Sequence, residues 1–170
     1  TQVDAALTDF PVYVDLADLS ASFWSTTPTS ASLVGTDIRV TTLGGTELPR
    51  ELVAASSTAQ TGELHFKADS ISSSVDTVFK VWYSGTTNGD YMTSATYGAE
   101  GVWSNDYVGV WHFNQDPDDG GAVASDSTSN ALDGTFNTPG ATSTALAVGQ
   151  VGNAYSFEGA SYINVPDTNF

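Results

Sequence analysis

Short runs of β-branched and aromatic residues recur along this chain, whereas a helical apolar period is almost missing. Seven such runs are FPVYVDL at 10–16, DIRVTTL at 37–43, GELHFKA at 62–68, DTVFKVWYSG at 76–85, YVGVWHFN at 107–114, NAYSFEG at 153–159 and SYINVPD at 161–167. Runs of this length and composition, bounded by Gly, Asp, Asn or Ser, are typical of β-strands. The sequence therefore predicts an all-β protein, and more narrowly an antiparallel β-sandwich.

The run at 76–85 alternates, so its side chains are divided between two faces. One face carries Val78, Lys80 and Trp82, and the other carries Phe79, Val81 and Tyr83. Trp82 and Trp111 both stand inside apolar runs. We therefore expect both indoles to lie in the core.

Two further local patterns are expected to interrupt the strands. The segment ADLSASFWSTT at 17–27 predicts a short helical turn whose apolar residues pack inward; these are Leu19, Phe23 and Trp24. The segment LGGTELPR at 43–50 predicts a tight Gly-Gly turn between two strands. Both patterns fit a sandwich of short strands.

The charge of the chain limits its partners. Among 170 residues, 20 are acidic and 4 are basic, which gives a net charge of −16. Such a chain repels phosphate backbones and anionic membrane surfaces, so nucleic acid is not an expected partner. Because basic residues are scarce, we expect Arg50 and its neighbour Glu51 to form a surface ion pair, worth ~0–1 kcal/mol.

Composition also argues against several other classes of site. No apolar run approaches the ~20 residues that a membrane-spanning helix needs, so no membrane insertion is expected. Without cysteine, disulfides, thiolate zinc sites and cysteine nucleophiles are excluded. The two histidines, His65 and His112, each alternate with apolar residues and do not suggest a zinc site.

A polar segment rich in small residues, GTTNGDYMTSATYGAEGVWSND at 85–106, has the chemistry of a linker or a long loop. We therefore predict a sandwich domain at 1–98, a linker at 99–106 and a second domain at 107–170. Trp103 lies in the predicted linker. It either pins the two domains together or contacts a carbohydrate ligand.

Three segments of the first part resemble, in order and spacing, a bacterial family known as domain of unknown function 2341. They are LTDFPVYVDL, GTDIRVTTLGGTELPREL and GELHFKADSISSSVDTVFKVWYSGT, between Leu7 and about Thr86. The second part resembles the opening of a laminin-G-like, concanavalin A-like jelly roll. Its matching segments are GVWHFNQ, DSTSNALDGTF and GQVGNAYSFEGASYINVPD.

These resemblances imply antiparallel modules on exported proteins, with no catalytic constellation. The second implies a partial jelly roll at 107–170, and both imply that the chain is part of a longer polypeptide. The implied function is a non-catalytic adhesion or carbohydrate-binding module of a secreted, cell-surface or virion-associated protein, with glycans as partners. A building block of a fibre, phage tail or surface appendage, which contacts neighbouring chains, is one alternative. An accessory domain of a polysaccharide-degrading enzyme is another.

The loop sequence NQDPDDGG followed by DSTSNALDG concentrates side-chain oxygens, which are the ligands that calcium prefers. The candidate calcium ligands are Asp116, Asp118, Asp119, Asp126, Asn130 and Asp133. The spacing of an EF-hand is not met. The alternative is a solvated loop in which Asp126, Ser127 and Asn130 form Asx-type turns. Paired carboxylates also occur in glycosidases, but no apolar pocket is indicated around these, and we do not expect catalysis.

Overall fold

The computed structural model describes residues 3–26, 34–85, 89–119, 123–137 and 145–167. The chain divides into two compact units, Thr1–Asn105 and Asp106–Phe170. In both, the regular structure is mostly antiparallel β-sheet, with few and short helices. The prediction of an all-β, antiparallel protein is confirmed, while the sandwich and the jelly roll stay predictions.

Within its described residues, the first unit contains six strands in two sheets. Its elements in chain order are β1 (Leu7–Asp15), a 3-10 turn (Leu16–Asp18), α1 (Ala21–Thr26), β2 (Arg39–Thr42), β3 (Glu47–Leu48), β4 (Arg50–Ser56), β5 (Thr61–Ile71), β6 (Phe79–Trp82) and α2 (Ala99–Val102). One sheet has the strand order β1-β5-β4 and the other has the order β3-β2-β6. All pairings are antiparallel.

A β-bulge between Leu52 and Ala54 shifts the register of β4 against β5. Gly62 lies beside this bulge, where the backbone of β4 approaches closely. A Cβ atom on Gly62 would stand 2.6 Å from Cδ1 of Leu16 and 2.7 Å from the carbonyl oxygen of Ala54. Glycine is therefore the residue that this part of the sheet accommodates.

Both sheets of the first unit contribute apolar side chains to one core. Its ten buried members are Leu16, Phe23, Trp24, Val34, Ile38, Val40, Leu48, Leu64, Phe66 and Ala68. Strand alternation explains the set, because alternate residues of β2, β5 and β6 point to the same side. Phe79, Val81 and Tyr83, which alternation places on one face of the run at 76–85, pack against this core.

The predicted helical turn at 17–27 is confirmed for the residues that the structure describes, which end at 26 before the gap. Asp15 caps the 3-10 turn, since its Oδ1 accepts a hydrogen bond from the Ala17 amide at 2.9 Å. In α1, Phe23 and Trp24 are buried and their rings meet edge to face, with centroids 4.7 Å apart. Leu19 packs against the core from its edge.

The segment that we expected to be a linker contains α2 and continues into buried residues of the first unit. Val102 and Trp103 are 0% and 7% exposed. Nζ of Lys67, on β5, donates a hydrogen bond to the Ser104 hydroxyl at 2.8 Å. The division into units falls after Asn105. The proposed domain boundaries stay a prediction that limited proteolysis can test.

The second unit consists of short strands. They are β7 (Val123–Ala124), β8 (Gly134–Asn137), β9 (Ala145–Val148), β10 (Asn153–Ser156) and β11 (Tyr162–Asn164). One sheet has the order β11-β8-β7, and β10 pairs with β9. Strands β10 and β11 lie inside two of the predicted runs, whereas β7, β8 and β9 lie outside all of them.

The run at 107–114 is not a strand, and that prediction is wrong. Its only ladder contact in the described part of the chain is an isolated bridge between Trp111 and Asp126. Phe113 has a φ of 56°, outside the extended region. The amide of Val110 donates to the Asp126 side chain instead of to a neighbouring strand. The Asp126 carboxylate thus takes the place of the backbone carbonyl to which Val110 would donate in a strand.

Within the described residues, none of the helices has the length and apolar character needed to cross a membrane.

Candidate binding site

The outer face of the sheet β3-β2-β6 collects polar and aromatic side chains. The register places Arg39 opposite Trp82, and Thr41 opposite both Lys80 and Glu47. Because side chains alternate along a strand, these five residues share the side of the sheet that faces away from the core. We refer to them as the Trp82 face.

Trp82 is exposed but held in place. Its side chain is 53% exposed, and its Nε1–H donates a hydrogen bond to the Thr41 hydroxyl at 2.9 Å. Nζ of Lys80 lies 5.9 Å from the ring centroid and donates to the Leu43 carbonyl at 2.9 Å. The indole is thus fixed along one edge while much of its surface remains open to solvent.

The prediction that Trp82 lies in the core is wrong. Strand β6 is at the edge of its sheet in the described residues, and Trp82 alternates onto the outer side with Val78, which is also 53% exposed. The signal was present in the sequence, because Lys80 stands between them on the same face. A lysine on a strand face indicates solvent.

Arg39 joins the Trp82 face to the loop around residue 90. Its guanidinium donates to the carbonyl oxygens of Thr36, Ile38 and Gly89, at 3.1, 2.7 and 3.1 Å. The same group lies 4.2 Å from the centroid of the Tyr91 ring, a cation–π geometry. These contacts hold the guanidinium in a single orientation.

Glu47 completes this arrangement from β3. Its Oε1 lies 3.7 Å from Nε of Arg39 and accepts a hydrogen bond from the Tyr91 hydroxyl at 2.6 Å. Burial raises the pKa of Tyr91, and the bond to the Glu47 carboxylate raises it further. The phenol therefore stays protonated and serves as a fixed donor. The charges of Arg39 and Glu47 offset each other.

Arg50 extends the network into the interior. Its side chain is 1% exposed, with one terminal nitrogen 2.6 Å from Asp90 Oδ1 and the other donating to the Thr36 carbonyl at 2.9 Å. Its Nε has no hydrogen-bond partner. Burial lowers the pKa of Arg50, and the Asp90 carboxylate opposes that shift. An unpaired buried N–H of this kind costs ~1–3 kcal/mol.

The predicted surface pair between Arg50 and Glu51 is wrong. Adjacent strand residues point to opposite sides, so Arg50 lies on the core side of β4 and Glu51 on the other. Glu51 Oε2 instead accepts a hydrogen bond from Nε1 of Trp103 at 2.6 Å. Arg50 finds its carboxylate in Asp90, a residue that is distant in the sequence.

Beside the Arg50–Asp90 pair is a cavity of about 120 Å³. The residues that line it include Arg50, Asp90, Tyr91, Thr93 and Ala99. Tyr91 lines the cavity and also contacts the Trp82 face, since its ring lies against the guanidinium of Arg39. The cavity and the Trp82 face are therefore connected through one pair of side chains.

Trp103, the carbohydrate-contact candidate from the sequence, is largely buried. It is 7% exposed, its Nε1–H donates to Glu51, and its ring centroid lies 5.4 Å from that of His65. His65 also hydrogen-bonds Glu63 Oε1 at 2.8 Å. Trp103 is thus enclosed, whereas the Trp82 ring has a face open to solvent.

In the second unit, the carboxylate of Asp126 organises the acidic loop. It accepts hydrogen bonds from the amides of Val110, Thr128 and Leu132 and from the Thr128 hydroxyl, at 2.9, 3.0, 2.9 and 2.8 Å. Burial would raise the pKa of Asp126, but these bonds together outweigh burial and lower it. Asp126 thus connects three parts of the loop as a charged hydrogen-bond acceptor.

Two other candidate ligands are part of the same turn. Asp133 Oδ1 accepts from the Asp126 amide at 2.8 Å. The side-chain amide of Asn130 donates to the Val108 carbonyl at 2.9 Å, and its backbone amide donates to the Thr128 hydroxyl at 3.3 Å. The bond from the Asn130 amide to the Thr128 hydroxyl is a Ser/Thr-type turn bond, and the bond from the Thr128 amide to Asp126 Oδ1 is the Asx-type turn that the alternative interpretation predicts at Asp126.

The remaining three aspartates form a separate turn. Asp116 Oδ1 accepts from the Asp118 amide at 3.0 Å, and its carbonyl accepts from the Asp119 amide at 3.2 Å. Across the part of the chain that the structure describes, no three of the five candidate aspartates bring ligand atoms within 4.8 Å of one another. Calcium binding stays a prediction to be tested.

Comparison with protein-family models, with curated proteins and with solved structures finds no match to this chain. The two resemblances drawn from the sequence therefore stay predictions.

Proposed function

We propose that this chain is a non-catalytic adhesion or carbohydrate-binding module of a larger secreted, cell-surface or virion-associated protein, and that it contacts a glycan. The observation that carries the proposal is Trp82, a tryptophan that is 53% exposed while its Nε1–H is fixed by Thr41. A pyranose ring offers an apolar C–H face and a rim of hydroxyl groups. A rigid exposed indole matches the first, and the polar groups beside it match the second.

The charges of the Trp82 face favour a neutral glycan. Arg39 is offset by Glu47, so Lys80 is the main uncompensated charge of the face. The chain as a whole carries a net charge of −16 and repels acidic polysaccharides. Hydroxyl groups that both donate and accept hydrogen bonds suit such mixed, paired side chains better than a carboxylate or a sulfate does.

The proposal is tested by comparing Trp82→Ala with Val78→Ala. Both positions lie on the same side of the same run and are 53% exposed, so the matched control removes an equally exposed apolar side chain. Retention on immobilised neutral polysaccharides and a glycan array would be measured on the full chain. We expect Trp82→Ala to weaken retention about tenfold or more, which corresponds to ~1.4 kcal/mol, and Val78→Ala to leave it unchanged.

Trp82→Phe adds a graded variant, because it keeps an aromatic ring but removes the donor to Thr41. Intermediate retention is expected for it. Absence of retention of the parent chain on every neutral glycan would refute the proposal, as would equal retention of the Trp82→Ala and Val78→Ala variants.

A second candidate function, a building block of a fibre, phage tail or surface appendage, is supported by the second unit. Val148 is 94% exposed, and Tyr162 on β11, an outer strand of its described sheet, is 51% exposed. Unpaired strand edges beside apolar residues promote pairing with another chain. Sedimentation of the full chain over a range of concentrations tests this alternative. A monomer at all concentrations argues against it, and association that Val148→Asp abolishes supports it.

A further inference from the structure

We propose that the Trp82 face binds two linked rings of a neutral glycan that lies across the strands, and that Glu47 is the residue that distinguishes a disaccharide from a monosaccharide. This inference rests on the proposed contact with a glycan and deepens it, because it assigns a hydrogen-bonding group to the second ring. The sequence did not single out Glu47 as a site residue. Two observations carry the inference: the place of Glu47 in the sheet and the contacts of its carboxylate.

The strand order sets the distance between Trp82 and Glu47. Trp82 is on β6 and Glu47 is on β3, with β2 between them, and both side chains lie on the outer side of the sheet. Neighbouring strands are about 4.8 Å apart, so the strands that carry the two residues are separated by roughly 10 Å. That span is wider than one pyranose ring and is similar to two linked rings. A ring that stacks on the indole therefore stops short of Glu47, whereas the next ring of the glycan reaches it.

Thr41 lies between the two residues. It is on β2, with Glu47 opposite it on one side and Lys80 opposite it on the other. Its hydroxyl accepts the hydrogen bond from Nε1–H of Trp82 at 2.9 Å. The indole thus extends from its own strand toward the middle of the sheet, on the side where Glu47 lies. A glycan that follows the indole continues toward β3.

The Glu47 carboxylate is held in place, and one of its oxygens is available to a ligand. Oε1 accepts a hydrogen bond from the Tyr91 hydroxyl at 2.6 Å and lies 3.7 Å from Nε of Arg39. Oε2 has no hydrogen-bond partner among the described residues, and it is not one of their buried unpaired atoms, so it is reached by solvent. The side chain as a whole is 28% exposed. A sugar hydroxyl can therefore donate to Oε2 while the existing contacts of Oε1 remain.

The charge of Glu47 determines which group the second ring presents. A carboxylate or sulfate on that ring is repelled by Glu47 and by the net charge of −16. A hydroxyl group instead donates a charge-assisted hydrogen bond to the carboxylate, and such bonds are stronger than those between neutral groups. The second ring is thus a neutral sugar with a free hydroxyl directed at β3.

The experiment compares disaccharides with monosaccharides by isothermal titration calorimetry of the full chain. The probes are cellobiose, maltose and mannobiose, each measured beside the methyl glycoside of its own sugar. For at least one pair we expect the disaccharide to bind fivefold or more tightly than the monosaccharide. A ratio below fivefold for every pair overturns the inference.

Variants test whether Glu47 causes this ratio of affinities. Glu47→Ala removes the carboxylate, and we expect it to bring the ratio close to one while the affinity for the monosaccharide is unchanged. Tyr91→Phe is the matched control, because it removes the hydrogen bond to Oε1 but leaves the carboxylate and Oε2. If Glu47 only supported the contacts of Tyr91, both variants would lose the ratio equally. That result, or an unchanged ratio in Glu47→Ala, overturns the inference.

Trp82→Ala in the same titrations separates this inference from the proposed function. The proposed function predicts that this variant loses affinity for monosaccharides and disaccharides alike. If the parent chain binds no neutral sugar, or if Trp82→Ala binds as the parent does, the proposed function fails and the inference fails with it. If Trp82→Ala loses binding while the parent does not discriminate between the two probes of any pair, the inference alone fails and the Trp82 face stands as a site for one ring.

Discussion

Within the described residues, ten buried apolar side chains form one core in the first unit, whereas the buried apolar side chains of the second unit are Ala124 and Leu132. Both units expose large apolar residues, among them Met92 at 78% in the first and Val148 at 94% in the second. Both units are built of short antiparallel strands. Two units with similar secondary structure can therefore differ in how many apolar side chains they bury.

Side-chain hydrogen bonds organise the acidic loop of the second unit. The Asp126 carboxylate joins Val110, Thr128 and Leu132, and the Asp133 carboxylate in turn holds the Asp126 amide. Charge-assisted hydrogen bonds are directional, and they depend on the protonation of one group. We therefore expect the first unit to be sensitive to loss of apolar volume and the second to be sensitive to pH.

The largest effect is expected for Phe23→Ala in the first unit. Phe23 is fully buried and packs edge to face on Trp24 and Tyr83, with centroid distances of 4.7 and 5.1 Å. Truncation should lower the free energy of unfolding by ~3–5 kcal/mol. Denaturant titration followed by tryptophan fluorescence measures it, with Val148→Ala as an exposed control within ~0.5 kcal/mol of the parent. If Phe23→Ala and Val148→Ala lowered the free energy of unfolding by similar amounts, the contrast between the units would be contradicted.

The next effect concerns the buried arginine. Arg50→Met removes the ion pair with Asp90 and the bond to the Thr36 carbonyl, and should destabilise the first unit by ~2–3 kcal/mol. Asp90→Asn should cost less, because the Asp90 side chain is 41% exposed. Lys80→Met, on the exposed face, is the control. Denaturant midpoints would be compared between variants that have the same m-value. If Arg50→Met left the free energy of unfolding unchanged, the polar contacts of Arg50 would not stabilise the first unit.

A smaller effect is expected for Asp126→Asn, which should lower the free energy of local opening of the loop by ~1–2 kcal/mol. The folded-state pKa of Asp126 lies below its ordinary value, so its contribution is fully present above about pH 4 and is lost as the pH falls through the lowered value. Hydrogen exchange at Val110, Thr128 and Leu132 would measure this. Protection should decline in acid for the parent and be lower but less pH-dependent in the variant. Asp118→Asn is the control, and the same acid response in all three proteins would contradict the prediction.

The smallest effect is expected from calcium. Because both oxygens of Asp126 already accept hydrogen bonds, we expect the thermal midpoint to be the same with calcium, with magnesium and with chelator. A site that binds only the folded state would instead add about 2.7 kcal/mol at a hundredfold excess over Kd. A rise with calcium but not with magnesium would show that the loop rearranges around a metal.

The strands that the sequence predicted correctly are those whose pattern is local. Alternation in the run at 76–85 separates its two faces correctly, although not which of them faces the core; Phe79 and Val81 pack against the core and Trp82 is exposed. The run at 107–114 has similar composition and is not a strand. Its Val110 amide is engaged by Asp126, and a hydrogen bond to a side chain sixteen residues away leaves no local periodic signal.

The candidate site was harder to predict than the fold, because its contacts join residues that are distant in the sequence. The burial of Arg50 depends on Asp90, and its adjacency to Glu51 suggested the wrong partner. Trp82 could have been recognised as exposed from Lys80 in the same alternating run. The cavity itself requires β4 and the segment before α2 to come together, which sequence spacing alone does not reveal.

The pairing of β1 with β5 has a consequence for synthesis of the chain on the ribosome. Leu7 pairs with Ile71, and the ladder extends to Asp15 and Glu63, so β1 is synthesised well before its partner β5. Contacts between distant residues form slowly, and a strand without its partner is prone to mispairing. Nascent chains that stop before residue 71 should therefore be protease-sensitive and dependent on chaperones. The first unit becomes able to close its sheet only when β5 has left the exit tunnel.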